Sequence, residues 1–213
     1  MNFDDFYQQA VKIKNMPLPG PDSHYKMAPE VRRKLLRSNG FKNRNPKKAG
    51  VVALFYPDRL RITHLLLILR NAYPGVHSNQ IGFPGGKMEK HDENLLQTAL
   101  RETHEEVGLP PERVEIIREL SELYIPPSNF MVTPFLGLSK EPQTFIRDES
   151  EVEALVEVAL DDYLNDANLI QQNLSTSYAQ NIDVPAFKLN GYVVWGATAM
   201  MLSEIRELLL KVL

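Results

Sequence analysis

Apolar positions along the chain fall first at helical intervals. Phe6, Ala10 and Ile13 line one side of a helix over residues 3–15. Residues 16–29 are rich in Pro and Gly and read as loop. Pro29 suits the first turn of a helix reaching about Ser38, where Asn39-Gly40 ends it. The period then changes. Val51 to Tyr56 and Ile62 to Arg70 are near-continuous apolar runs of strand length, turned at Pro57-Asp58. After a loop over residues 71–82, the helical period returns from Glu93 to Val107 and stops at Gly108. Val114–Tyr124, Met131–Leu138 and Val152–Val158 read as strands, and Leu160–Asn165 as a short helix. Val184–Leu189 and Tyr192–Trp195 flank Asn190-Gly191, a pair that accepts the positive φ angles of a tight type I′ hairpin turn. A helix over Ala197–Leu213 closes the chain. This order predicts an α/β protein, a mixed sheet packed between helices. The expected main domain spans residues 50–213, with a helical extension over residues 1–49.

Composition narrows the chemistry. A 43% hydrophobic content over 213 residues supplies a sizeable core. Without cysteine there is no disulfide, thiolate metal site or cysteine nucleophile. The acidic start Met1-Asn2-Phe3-Asp4-Asp5 is unlike a secretory signal, and no apolar run approaches the ~20 residues of a membrane span. A cytoplasmic location and no membrane partner are expected. The net charge of −3 is uneven: residues 26–48 hold nine basic residues against one acid, Glu30. That segment reads either as a solvated helix face with a polar connector, or as a cationic patch for an anionic ligand.

The segment Gly85-Gly86-Lys87 through Leu109 carries the most chemistry. At about 100° per residue, Leu96, Ala99, Leu100, Thr103 and Val107 share an apolar face. Glu102, Glu105 and Glu106 gather on another. Carboxylates at that spacing repel, and near a helix C-terminus they oppose the macrodipole. Local propensity therefore does not explain them. A hard divalent cation does, because it takes oxygen ligands and bridges carboxylates to phosphate oxygens. Gly85-Gly86 permits close backbone approach and offers a carbonyl.

These residues resemble a known motif. Arg101-Glu102-Thr103-His104-Glu105-Glu106-Val107-Gly108-Leu109 is similar to the second half of the Nudix box, with Thr103 at an apolar position. Glu93 stands eight residues before Arg101, as in that box. Gly86 is seven before Glu93 rather than six, which reads as one extra loop residue. Leu66-Leu67-Ile68-Leu69-Arg70-Asn71, followed by Phe83-Pro84-Gly85-Gly86, resembles the signature of the coenzyme A diphosphatase branch. Ile68, Asn71, Gly75 and Asn79 depart from it. Tyr124-Ile125-Pro126-Pro127-Ser128-Asn129-Phe130 and Trp195-Gly196-Ala197-Thr198-Ala199 also look like that branch.

The resemblance implies a Nudix fold and a metal-dependent diphosphatase using Mg²⁺ or Mn²⁺. Its substrate would be coenzyme A or another nucleoside diphosphate derivative. Glu102, Glu105, Glu106 and the carbonyl of Gly86 would hold metal. Arg101 would orient a carboxylate, with Glu93 as its partner. Glu151 is the first choice for general base, ahead of Glu149 and Glu153, and Glu105 is also a catalytic candidate. Arg70, Phe83 and Gly85 would meet substrate. Arg44, Lys47 and Lys48 are further cationic candidates for a phosphate. Trp195 reads as core ahead of a stacking platform, His77 and His91 as loop histidines, and His104 as solvent-facing. The rival class is a noncatalytic module of the same fold whose basic segment contacts nucleic acid. The intact glutamates disfavour it, so no nucleic-acid partner is expected, and a homodimer is left open.

Overall fold

Strand β1 (Lys47–Pro57) is buried on both faces from Ala49 onward and organises the molecule. A computed structural model describes residues 1–37, 45–72, 79–175 and 181–213. Its three N-terminal helices are α1 (Phe3–Ala10), α2 (Pro21–Lys26) and α3 (Glu30–Arg37). On one side β1 runs parallel to β7 (Phe130–Leu138), with Val51 opposite Pro134. On its other side it pairs antiparallel with β2 (Thr63–Arg70) along its second half, and with β4 (Gly85–Lys87) along its first. Strand β3 (Ile81–Gly82) and β8 (Val152–Ala159) pair with β2. Strands β5 (Glu115–Glu119) and β6 (Leu123–Ile125) pair with β7. The result is an eight-stranded mixed sheet.

The two faces of the sheet carry separate apolar clusters, which is why β1 reads as a continuous run rather than an alternation. Val52, Leu54 and Tyr56 face helix α4 (Leu95–Val107) through Ala99 and Val107. Ala53 and Phe55 face the opposite layer, which includes Phe3 and Phe6 of α1 and Met201 and Ile205 of α6 (Gly196–Leu209). The expected sandwich of helices around a mixed sheet is therefore present. Residues of the N-terminal extension, Phe3, Phe6, Ala10 and Ile13, are at most 1% exposed within that same core.

After β8 come α5 (Leu160–Leu164), β9 (Leu169–Leu174), β10 (Ile182–Leu189) and β11 (Tyr192–Val194). The last three form a second, antiparallel sheet. The β10–β11 turn has φ of 49° at Asn190 and 82° at Gly191, as the Asn-Gly pair predicts. Two expectations are corrected. The 114–124 run is two strands, interrupted at residues 120–122. The Pro/Gly-rich stretch contains α2. Strand β9, in a polar segment, was not expected from the sequence. The expected helix end at Ser38 and Asn39-Gly40, together with Arg44, Gly75 and His77, lies outside the described residues.

Candidate active site

Helix α4 sets the position of the carboxylates. Asn94 caps it, its side chain accepting from the Gln97 N–H, and Gly108 ends it at φ 70°. The helix lies directly on the backbone of β1: a Cβ at Gly50 would sit 2.2 Å from the Leu95 carbonyl. Its C-terminal carbonyls are taken up by the segment leading into β8, where Ile146 N–H donates to Val107 O and Asp148 N–H to Glu106 O, each at 3.0 Å. That segment then delivers Glu151, an exposed residue whose charge is felt by both Glu102 and Glu106.

The three glutamates do not share one solvated face. Glu106 is 1% exposed, Glu102 15% and Glu105 56%. Glu106 Oε2 accepts the Gly85 N–H at 2.7 Å. Its Oε1 lies 3.2 Å from an Arg70 nitrogen but makes no hydrogen bond. Burial pushes the Glu106 carboxyl up to about 7, against the pull of Arg70 and of the Gly85 N–H. Burial also raises Glu102, partly offset by Arg101. A Cβ on Gly86 would come within 2.2 Å of the Glu102 carboxylate, so glycine is what allows the β4 backbone and this carboxylate to meet.

Arg101 joins the acidic residues. It pairs in bidentate fashion with Asp92, Nε to Oδ1 and Nη2 to Oδ2, both at 2.9 Å. It also reaches Glu102 at 2.9 Å and Glu105 at 2.8 Å. The hydrogen bonds from Arg101 hold the Asp92 carboxyl well below its usual range, and Asp92 raises the guanidinium in turn. The partner expected from spacing, Glu93, is corrected: it is exposed, and its N–H donates to the Gln97 side chain. Asp92 prevails because it is buried and also accepts from Glu89 N–H and the Thr98 hydroxyl. Gly86 and Asp92 thus stand six residues apart, and the extra residue falls between Asp92 and Arg101 instead.

A cleft of about 640 Å³ opens beside these groups. Arg70, Phe83, Gly85, Gly86 and Glu102 line it near the carboxylates; Arg32, Phe130 and Trp195 also line it. Trp195 is half-buried on this wall, which corrects its reading as core. Arg70 donates to the Gly85 carbonyl at 2.7 Å while facing Glu106, so its guanidinium ties β2 to the glycine loop. Lys47 lies 5.6 Å over the Phe130 ring. His91 lies in a turn and His104 is exposed, as expected. Sequence reasoning missed Asp92 and Arg32. For Asp92 the signal was its adjacency to the expected acid; for Arg32 there was none beyond its place in the basic segment.

The residues fit a hard divalent cation. Glu106 offers a buried oxygen without a hydrogen-bond donor, and burial disfavours the charge of both Glu102 and Glu106 until a cation offsets it. Among the described residues no three acidic or imidazole side chains already converge on one point, and Glu105 is turned to Arg101. The candidate ligands nearest the cleft are therefore Glu102, Glu106 and the Gly86 carbonyl.

Comparison with known proteins agrees with this geometry. Residues 46–177 match the NUDIX domain. The Nudix hydrolase NudL of Enterobacter sp. (strain 638) is 36% identical over 152 residues, covering 70% of this chain and 74% of that protein. NudL of Pectobacterium atrosepticum is 34% identical over 148 residues, covering 66% and 72%. The crystal structure of the Nudix hydrolase RenU from M. smegmatis aligns with a TM-score of 0.51 at 19% identity, covering 79% of this chain and 88% of that one, a likeness of fold. The chain belongs to the Nudix family. It is a Nudix hydrolase, an enzyme of nucleoside diphosphate derivatives in a family that generally uses divalent metal ions. No described helix is long and apolar enough to cross a membrane.

Proposed function

We propose that the enzyme hydrolyses the diphosphate of coenzyme A, giving 4′-phosphopantetheine and adenosine 3′,5′-bisphosphate, in the cytoplasm. The observation that carries the reading is the pairing of Glu102 and the donor-poor Glu106 with the Gly85-Gly86 loop at one wall of the cleft. The choice of coenzyme A rests on the resemblance of residues 66–71, 83–86, 124–130 and 195–199 to that branch.

When bound, Mg²⁺ or Mn²⁺ at Glu102, Glu106 and the Gly86 carbonyl would polarise the diphosphate and lower the pKa of a water. The chain's own groups do the rest. Water attacks one phosphorus, and the bond from that phosphorus to the bridging oxygen breaks. Glu151, an exposed acid whose charge reaches Glu102 and Glu106, would take the proton of the attacking water. Arg101, locked by Asp92, orients Glu102. Arg70 fixes the Gly85 carbonyl and thereby the loop against which the diphosphate would lie. Phe83 and Gly85 shape that wall.

A substrate panel tests this reading. Coenzyme A, 3′-dephospho-coenzyme A, ADP-ribose and dinucleotides are each incubated with the enzyme and Mg²⁺ or Mn²⁺, and the products resolved by mass. Fastest cleavage of coenzyme A, to the two named products, is expected. Faster cleavage of ADP-ribose would move the enzyme to another Nudix substrate class and leave the diphosphatase chemistry intact.

A further inference from the structure

The end of β2 ties down two segments beside the candidate acids. Arg70 holds the glycine loop through the Gly85 carbonyl. Asn71, the next residue, holds the segment that carries Glu151. Its backbone N–H donates to the Glu151 carbonyl and its side-chain amide to the Glu149 carbonyl, both at 2.9 Å. The turn that contains these carbonyls is fixed from two further directions. Asp148 N–H donates to the Glu106 carbonyl at 3.0 Å, and the Asp148 carboxylate accepts the Ser150 N–H at 2.8 Å and the Ser150 hydroxyl at 2.7 Å. The start of β8 is bulged as well. Leu69 faces Ala154 and Arg70 faces Val152, so Glu153 has no partner on β2. An extra residue of this kind re-aims the side chains next to it.

We propose that Asn71 is a positioning residue for the hydrolysis: by gripping the carbonyls on either side of Ser150, it aims the Glu151 carboxylate at the water between Glu151 and the buried glutamates. This rests on the reading of Glu151 as the base and not on the choice of coenzyme A. Glu151 is exposed, and among the described residues no hydrogen bond or ion pair restrains its carboxylate, although its charge reaches Glu102 and Glu106. Its direction is therefore set by its backbone, and the backbone is set by Asn71 and the Asp148 turn. A loop acid held this way has less conformational freedom to lose when it acts. Asn71 keeps its grip at a cost, because its Oδ1 is buried and finds no donor. An unpaired buried oxygen is destabilising, and local compromises of this kind are expected where placement matters more than stability.

A double-mutant cycle tests the proposal. At saturating Mg²⁺, kcat and KM are measured for the wild type, Asn71→Ala, Glu151→Gln and the double variant, on whichever compound of the panel is cleaved fastest. Glu151→Gln should lower kcat about 100-fold, as for loss of a general base. Asn71→Ala keeps the backbone N–H and should lower kcat by roughly 5- to 30-fold with KM within about twofold, less than the ~100-fold that a full ångström of misplacement can cost. In the Glu151→Gln background the same change should cost less than about twofold, because no base remains to be aimed. Asn71→Ser, a milder truncation that also loses the amide, should behave like Asn71→Ala in the same cycle. A purely structural role would lower the active fraction by one factor in both backgrounds. Equal losses in the two backgrounds, or wild-type kcat in Asn71→Ala, would therefore overturn the role of Asn71 and leave Glu151 as the base. Wild-type kcat in Glu151→Gln would overturn the base assignment and this proposal with it.

Discussion

Two glutamates, Glu106 behind the Gly85-Gly86 wall of the cleft and Glu204 beneath the N-terminal helices, are equally buried and oppositely treated. Glu204 on α6 is 0% exposed and accepts from Gly20 N–H, Ser121 N–H, the Ser121 hydroxyl and His24 Nε2, at 2.6–3.2 Å. Burial pushes its carboxyl up, but the hydrogen bonds from His24 and Ser121 outweigh this and hold it below its ordinary value. Glu106 has one backbone donor, an arginine at ion-pair distance and one oxygen without a donor, and its carboxyl rises to about 7. A satisfied buried carboxylate joins α2, the β5–β6 turn and α6. An undersupplied one is, in the proposed function, the acid a cation would satisfy. Burial alone does not separate a structural acid from a functional one; the count of donors does.

The comparison breaks most sharply at the structural end. Glu204→Leu should cost about 3–5 kcal/mol of stability, since His24 and the Ser121 groups lose their acceptor inside the protein. Denaturant unfolding measures it, and a loss under about 1 kcal/mol would show that the network carries little. At the functional end, Glu106→Gln should cut kcat at least about 100-fold at saturating Mg²⁺ while the unfolding midpoint hardly moves. Substantial activity in Glu106→Gln, or activity surviving excess chelator, would remove Glu106 from the metal site.

Asp92→Asn should lower kcat/KM by about tenfold or more, because it loosens the group that aims Arg101 at Glu102, whereas Glu93→Gln should change it less than about threefold. Equal losses in the two would restore the acid expected from spacing. Acid titration sharpens the contrast further. The folded pKa of Glu204 is depressed, so its contribution is present above the unfolded value and is lost as pH falls through the folded one. Wild-type stability should therefore decline below about pH 4.5 more steeply than that of Glu204→Gln, read from unfolding midpoints across pH. The smallest effect is expected for Lys34→Ala. Its pair with Glu30 is more than 70% exposed on both sides, and its loss should cost under about 0.5 kcal/mol.

Much of this was legible in the residues. Continuous apolar runs announced β1 and β2, and Asn190-Gly191 fixed a turn through backbone sterics alone. The likeness of residues 101–109 to the Nudix box announced the helix that carries the candidate acids. Strand β9 was hidden because Gln171, Gln172 and Asn173 give it no apolar alternation; its stability comes from pairing with β10. Helix α2 was hidden because Gly20-Pro21 marks a loop and a helix start equally well. Asp92 was missed because spacing along a chain does not say which of two adjacent acids points inward. Arg32 was missed because a basic helix face is ordinarily solvated, and only tertiary packing turns one of its members into a cleft wall.

The contact at Gly50 has a consequence for how the enzyme can vary. Strand and helix meet there backbone to backbone, with Leu95 O where a side chain would begin. Side chains elsewhere in the core can swap size and be absorbed by neighbours; at this joint nothing compressible lies between the parts. The distance from the sheet to the candidate acids of the helix is therefore a fixed mechanical gauge. Repacking of the sandwich over many generations can drift without moving it, while one added methyl at residue 50 would reset it for every acid on the helix at once.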